Sequence, residues 1–285
     1  MVSKFRDFFF MKKNIGIQGI KGSFHHIVAN NYFEENINLI EYLSFEELIL
    51  NLFNDKIDYA IMAIENSTAG SIIPNYALID EYGVNIVGEY YLQISHNLIA
   101  LKGQSIEDIK EVQSHPMALL QCRDFFKDNA DIVLIEDKDT AHVAKKISEN
   151  KIKGLGAIAS DLASKIYGLN IINSNIQTIK KNQTRFVILQ KKGSTKNLNF
   201  NKASVKFELD HKRGSLAAIL NVLSDCKLNL TKIQSMPMIQ TPWRYSFFVD
   251  VTFDKLKDYF KAKSIIEIMA KDFKVLGEYK NSKDD

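Results

Sequence analysis

The sequence predicts an α/β protein in two parts, a larger alternating region over residues 14–191 and a smaller ferredoxin-like βαββαβ unit over 203–280. Three observations predict it. Strand-like apolar runs alternate with helical periodicities through the first two thirds of the chain. The stretch KKGSTKNLNFNKAS (191–204) is polar and aperiodic, and reads as a linker near 192–202. Beyond it the order strand, helix, strand, strand, helix, strand is the split βαβ arrangement.

Taken in order, 14–18 is a short strand, and the turn GIKGS (19–23) opens a helix that runs through 32. Residues 37–42 are extended. Ser44 caps SFEELILNLF, with Glu47 three residues on as in a capping box. A buried strand over 58–64 leads into ENSTAGS (65–71), and a helix follows near 71–82. Residues 85–101 are long and β-rich, and 112–114 is a short strand. Pro116 suits the first position of a helix over 116–128. A strand over 131–135, a helix over 139–149, and GLGAIAS (154–160) running from strand into helix come next. The strand 184–190 closes the region. The small unit reads as strand 204–209, helix 214–226, strands 228–234 and 243–253, helix 255–269 and strand 273–279. Trp243 is either a core anchor of this unit or, with Tyr245, part of an interface.

Composition narrows the function. The chain has 285 residues, 46% apolar and 25% charged, with a formal charge of +3. That balance carries no nucleic-acid signature. Cys122 and Cys226 match no metal-ligand spacing and read as buried thiols. An adjacent pair such as His25 and His26 diverges on a helix and makes no metal site. No run approaches the ~18 apolar residues of a membrane span. Lys4, Arg6 and Phe8 to Phe10 fall short of a secretory signal, so residues 1–13 are expected to be an N-terminal extension, and the protein cytoplasmic.

Four polar clusters stand at strand-to-helix junctions or strand starts: GIKGSF (19–24), ENSTAGS (65–71), QSHPMALLQC (113–122) and NQTRF (182–186). In open α/β sheets such junctions hold ligands, and free N–H groups there favour anions. Singly each cluster is an ordinary turn or cap; together they point to a pocket for a small acid.

The set ENSTAGS, IVGEYYLQISHNLIA (86–100), SHPMALLQC (114–122) and NQTRFVIL (182–189) resembles prephenate dehydratases, in order, across 14–190. The small unit resembles the ACT domain. This resemblance implies a two-lobed catalytic domain like type II periplasmic binding proteins, with crossings near 92–96 and 168–176. It implies conversion of prephenate to phenylpyruvate with loss of carbon dioxide and the ring hydroxyl, without a cofactor. Thr184 would be the proton donor to the leaving oxygen. Arg185 would either fork a carboxylate or brace the lobes. Phe186, two residues from Thr184, would share its face and wall the ring. Asn66, Ser67 and Ser71 would donate to the substrate, and Gly70 would let the backbone approach. Ser114 and, more weakly, Ser160 would act from the other lobe. His115 is either an acid or, the favoured reading, a cap; Glu65 beside a dianion is structural.

The ACT resemblance implies an amino-acid effector, usually phenylalanine, and self-association into a dimer or tetramer. Gly214-Ser215-Leu216 and Gln234-Ser235-Met236-Pro237 stand where the family has Gly-Ala-Leu and Glu-Ser-Arg-Pro, so two charges are lost at Gln234 and Met236. Two other readings remain open: arogenate dehydratase, and a non-catalytic small-acid sensor of the same architecture.

Overall fold

The computed structural model describes residues 12–33, 37–193, 199–238 and 244–283. Residues 1–11 of the expected 1–13 extension, the middle of the expected linker and Trp243 lie outside them, and Lys13 of that extension already belongs to the first strand. The chain begins β1 (Lys13–Gln18), α1 (Phe24–Phe33), β2 (Ile37–Tyr42), α2 (Phe45–Phe53), β3 (Tyr59–Asn66), a two-residue β4 (Gly70–Ser71), α3 (Ile73–Glu81) and β5 (Asn85–Gln93). Strand β1 lies between β2 and β3, with Ile15 and Ile17 fully buried. Helix α2 starts where its sequence says: the Ser44 hydroxyl accepts the Glu47 N–H at 3.1 Å, and the Glu47 carboxylate accepts the Leu43 N–H.

At 94–96 the chain passes to a second sheet. There follow β6 (Asn97–Ala100), a 3-10 turn (Ile106–Asp108), β7 (Glu111–Ser114), α4 (Pro116–Gln121), α5 (Arg123–Lys127), β8 (Val133–Glu136), α6 (Thr140–Asn150), β9 (Leu155–Ala159), α7 (Asp161–Tyr167) and β10 (Asn170–Asn173). The sheet order is β10-β6-β9-β7-β8. The return crossing occupies 174–182 rather than 168–176, because 170–173 pairs antiparallel with β6 and belongs to this lobe. The two crossings lie side by side, with the Ile94 N–H on the Asn182 carbonyl at 2.7 Å and the Ile176 N–H on the His96 carbonyl at 2.8 Å. The expected helix over 116–128 is interrupted at Cys122, which ends one helix and starts the next.

Strand β11 (Gln183–Gln190) rejoins the first sheet between β3 and β5. The C-terminal unit then runs β12 (Lys202–Glu208), α8 (Ser215–Asp225), β13 (Asn229–Pro237), β14 (Tyr245–Thr252), α9 (Leu256–Met269) and β15 (Lys271–Tyr279). Its order β13-β14-β12-β15 continues across β5, so ten strands form one sheet. The seam is a single parallel bridge, Gly277 to Ile86. Around it Phe248, Leu276 and Tyr279 of the C-terminal unit pack into the cluster of Tyr76, Ile79 and Ile86. Among the described residues no helix is long and apolar enough to cross a membrane.

Gly277 makes the seam possible, since a Cβ there would stand 2.2 Å from the Ile86 carbonyl oxygen. Gly277→Ala is expected to force the two backbones apart and cost about 1–3 kcal/mol, the usual range for overpacking. Denaturant unfolding of the variant, with limited proteolysis between the two units, measures this.

Candidate active site

The cleft between the lobes has a volume of about 250 Å³, and Thr184, Phe186, Asn66, Gln121 and His115 stand in its wall. Two neighbouring strands supply its centre. Thr184 and Phe186 alternate with Arg185 on β11, so the first two face the cleft and the third faces away. On β3 strict alternation would put Asn66 on the same face as Met62 and Ile64, away from Thr184. The register prevents this. Thr184 pairs with Asn66, Arg185 with Glu65 and Phe186 with Ala63, leaving Ile64 as an extra residue. This β-bulge flips the phase of the strand end, turning Asn66 into the cleft and Glu65 to its back.

The bulge frees backbone groups, and two buried side chains take them up. The Ala63 N–H donates to His25 Nε2 at 3.3 Å, and Asn75 Nδ2 donates to the Ala63 carbonyl at 2.6 Å. His25 therefore carries its own proton on Nδ1. Burial drives its pKa from 6.5 down to about 3, so it is neutral and cannot act as an acid near neutrality. Its ring lies edge-on to Phe186 with centroids 4.9 Å apart.

The hydrogen-bond direction at Thr184 follows from its partners. Asn66 Oδ1 accepts the Thr68 and Ala69 N–H groups, each at 2.9 Å, and backbone N–H groups only donate. The amide nitrogen must then face the other way, donating to Asn182 Oδ1 at 2.7 Å and to Thr184 Oγ1 at 2.9 Å. Thr184 is thus an acceptor from Asn66 and keeps its own hydrogen for an acceptor in the cleft. Gln121, on the opposite lobe, extends the network. Its Oε1 accepts Asn182 Nδ2 at 2.9 Å and contacts His96 Nε2 at 2.9 Å, while its Nε2 donates to Thr68 Oγ1 at 2.9 Å. Gln121 and Asn182 were not singled out from sequence. Both lie inside the quoted polar clusters, yet a lone amide in a cluster gives no sign of its partners.

Several expected contacts are elsewhere. Ser67 joins β3 to β11 at the back of the cleft, its hydroxyl accepting the Gln183 N–H at 2.9 Å. Ser71 accepts from Lys232 of β13 at 2.7 Å. Gly70 supplies the turn with its φ of +83° but does not line the cleft, which its neighbour Ala69 does. Ser114 is fully buried and donates to the Ile158 carbonyl at 2.7 Å. Ser160 caps α7 and donates to the Gly22 carbonyl at 2.6 Å, tying the second lobe to the first turn. A buried serine takes the nearest backbone partner, as Ser114 and Ser160 do, and all four make their bonds away from the cleft. His115 does line the cleft, and its Nδ1 accepts the Met117 N–H at 3.2 Å as a cap.

Arg185 is the largest departure, and its brace is to the C-terminal unit rather than between the lobes. Its guanidinium is buried, donating to Glu89 Oε2 at 2.7 Å, to Asp250, and to the Tyr279 hydroxyl at 2.9 Å. Lys202 donates to the same Glu89 at 2.8 Å. Two cations thus meet two carboxylates, which is the condition for burying any of them. Burial alone would raise the Asp250 carboxyl; the Arg185 charge and the Ser204 hydrogen bond hold it below its usual range. With Arg185 turned away, no lysine or arginine is found among the described residues lining the cleft. Its one carboxylate, Asp139, caps α6 and is raised by burial against the N–H groups of His142 and Ala141.

Residues 15–194 match the prephenate dehydratase family. The chain is 32% identical over 276 residues to the bifunctional chorismate mutase/prephenate dehydratase of Buchnera aphidicola from Acyrthosiphon pisum, covering 95% of this chain and 71% of that protein. It is 33% identical over 276 residues to arogenate dehydratase/prephenate dehydratase 2 of Arabidopsis thaliana, covering 93% and 72%. The crystal structure of prephenate dehydratase from Arthrobacter aurescens, in complex with L-Phe, superposes with a TM-score of 0.86 at 21% identity, covering 95% of this chain and 91% of that one.

The neutral His25 has a consequence for stability. Between pH 6.5 and about 3 the unfolded chain binds a proton at this site that the folded chain refuses. Its contribution is intact above 6.5 and is lost as pH falls, by about 1.4 kcal/mol per pH unit. In urea unfolding across that window, His25→Gln is expected to show a shallower loss of stability than the native chain. Parallel pH profiles would contradict the assignment.

Proposed function

The chain belongs to the prephenate dehydratase family and is a carbon–oxygen lyase, and we propose that Thr184 is the group that assists departure of the ring hydroxyl of prephenate. In that reaction the C–CO2 bond breaks, its electron pair enters the ring, and the C–O bond opposite breaks to release hydroxide. A proton turns the hydroxide into water, and phenylpyruvate remains. The protein must hold the substrate, supply a hydrogen bond at the leaving oxygen, and avoid stabilising the ring carboxylate.

The observation that most supports this reading is the polarity of the Thr184 hydroxyl. Because Asn66 donates to it, its hydrogen is directed to another acceptor, which the leaving oxygen would be. A threonine is a weak acid, so it assists by hydrogen bonding while the net proton comes from water in the cleft. The walls suit the other half of the chemistry. Phe24, Phe45, Phe186, Ile72 and Ile94 surround a site with no lysine or arginine among its described lining residues. Decarboxylation disperses the charge of the ring carboxylate, so a cation paired with it would stabilise the starting state; an apolar wall does not.

Regulation by an amino acid is part of the same reading. A cavity of about 120 Å³ at the start of α8 is lined by Asp210, Lys212, Ser215, Leu216, Arg244 and Tyr245, offering a carboxylate for an ammonium and two cations for a carboxylate, with Asp210 already paired to Lys212 and Lys271. Gly214 opens α8 with a φ of +81°. Gln234, Ser235 and Pro237 do not line this cavity; they lie on β13, the edge strand of the ten-stranded sheet. A second copy pairing near that edge would bring the two segments into one site. Arogenate differs from prephenate by an amino group in place of the side-chain keto group, and the Arabidopsis relative is named for both substrates.

Prephenate and arogenate turnover, each followed by its product, tests the cleft. Thr184→Val should abolish measurable turnover, and Asn66→Asp, which accepts rather than donates, should lower kcat by about a hundredfold, in the range of acid–base effects. Native-like activity in Thr184→Val would overturn the assignment. Light scattering should give the mass of a dimer or larger, and calorimetry should show heat on adding phenylalanine. A monomer that takes up no phenylalanine would remove the regulatory part.

A further inference from the structure

The front and back of the catalytic strands belong to different parts of the protein. Asn66, Thr184 and Phe186 face the cleft, while their chain neighbours Glu65 and Arg185 face the C-terminal unit. A cavity of about 530 Å³ opens behind the strands, so on this side the two units meet through few polar links. One is the buried Arg185 group already described, and a second joins Lys206 and Lys274 to Asp80 of α3 at 3.2 and 2.8 Å. A third is Lys232 of β13.

Lys232 donates from Nζ to Glu65 Oε1 at 2.6 Å and to Ser71 Oγ at 2.7 Å. Glu65 and Ser71 are paired across the β3–β4 hairpin, as are Asn66 and Gly70. One ammonium therefore staples both ends of the turn whose first residue is Asn66. Its side chain is 10% exposed and lies over the Tyr76 ring, 5.9 Å from the centroid. A charge that enclosed makes its hydrogen bonds strongly and holds what it touches. The pleat places Lys232, Gln234 and Met236 on one face of β13, and Met236 packs on the catalytic lobe's core.

We propose that Lys232 is a positioning residue for the reaction. It acts through Glu65 and Ser71 to hold the 66–70 turn, so that Asn66 keeps its amide on Thr184, and it makes turnover depend on the seating of β13. This rests on the dehydratase reading of the cleft. Without the staple Glu65 loses its cation and Ser71 its donor, and the turn is left free to shift. Misplacement of a catalytic group lowers kcat more than substrate affinity, because the lost interaction is one realised in the transition state.

Steady-state prephenate turnover by the native chain, Lys232→Met, Lys232→Arg and Glu65→Gln tests this, with circular dichroism and thermal unfolding as the check of folding. Lys232→Met should lose about tenfold in kcat with KM changed less than about twofold, and Lys232→Arg should recover most of the loss. A folded Lys232→Met with native kcat overturns the proposal, as does a loss that Arg does not restore. Should Lys232→Met fail to fold, Glu65→Gln decides. It keeps an acceptor while removing the charge, and a several-fold fall in kcat supports the staple whereas native kcat overturns it. A native chain that turns over neither prephenate nor arogenate overturns the functional reading and this proposal together; an active native chain with indifferent variants overturns this proposal alone.

Discussion

The pairing of β3 with β11 is the constraint on which the rest of the molecule depends. Alternation on β11 is regular and sends Thr184 and Phe186 forward and Arg185 back. On β3 the extra residue Ile64 breaks alternation and brings Asn66 beside Thr184. Without that bulge the catalytic wall would hold Thr184 opposite the side chain of Glu65, a carboxylate where a donor is required. His25 and Asn75 keep the bulge in place by satisfying the Ala63 N–H and carbonyl, His25 from the cleft wall and Asn75 from behind it.

The same pairing explains why the C-terminal unit is fused to the catalytic one so closely. At the ends of β3 and β11, Glu65 and Arg185 turn to the back, and a buried charge such as Arg185 demands partners. Glu89, Asp250 and Tyr279 meet Arg185, and Lys232 meets Glu65. Leaving Arg185, Glu89 or Asp250 unpaired would cost about 3–5 kcal/mol, a large part of a domain's stability. The seam is closed by Gly277, where no side chain fits between the strands. Docking of the two units and the geometry of the cleft are consequently one packing problem.

Placing the cations behind the strands rather than in the cleft also fits the chemistry. The cleft presents amides, hydroxyls and aromatic edges, while Arg185 and Lys202 neutralise protein carboxylates. On the proposed reading, a cleft built this way would orient a small acid without trapping the carboxylate that has to leave.

The sequence by itself determined most of the elements and the chemical class. Apolar periodicity set the strands and helices, the polar stretch near 192–202 marked the boundary, and NQTRF with ENSTAGS carried the family. It also implied that Thr184 and Phe186 share a face, because strand alternation is local. What it could not decide were relations between segments far apart in the chain. The direction of Arg185 and the partners of Ser67, Ser71, Ser114 and Ser160 depend on which strand or helix lies opposite. So do the short strand at 170–173 and the joining of Gln121 to Asn182 and Asn66. The bulge at Ile64 is the clearest case: its strand reads as unbroken β, and only the partner's register, with His25 and Asn75 supplying the missing hydrogen bonds, makes the extra residue stable.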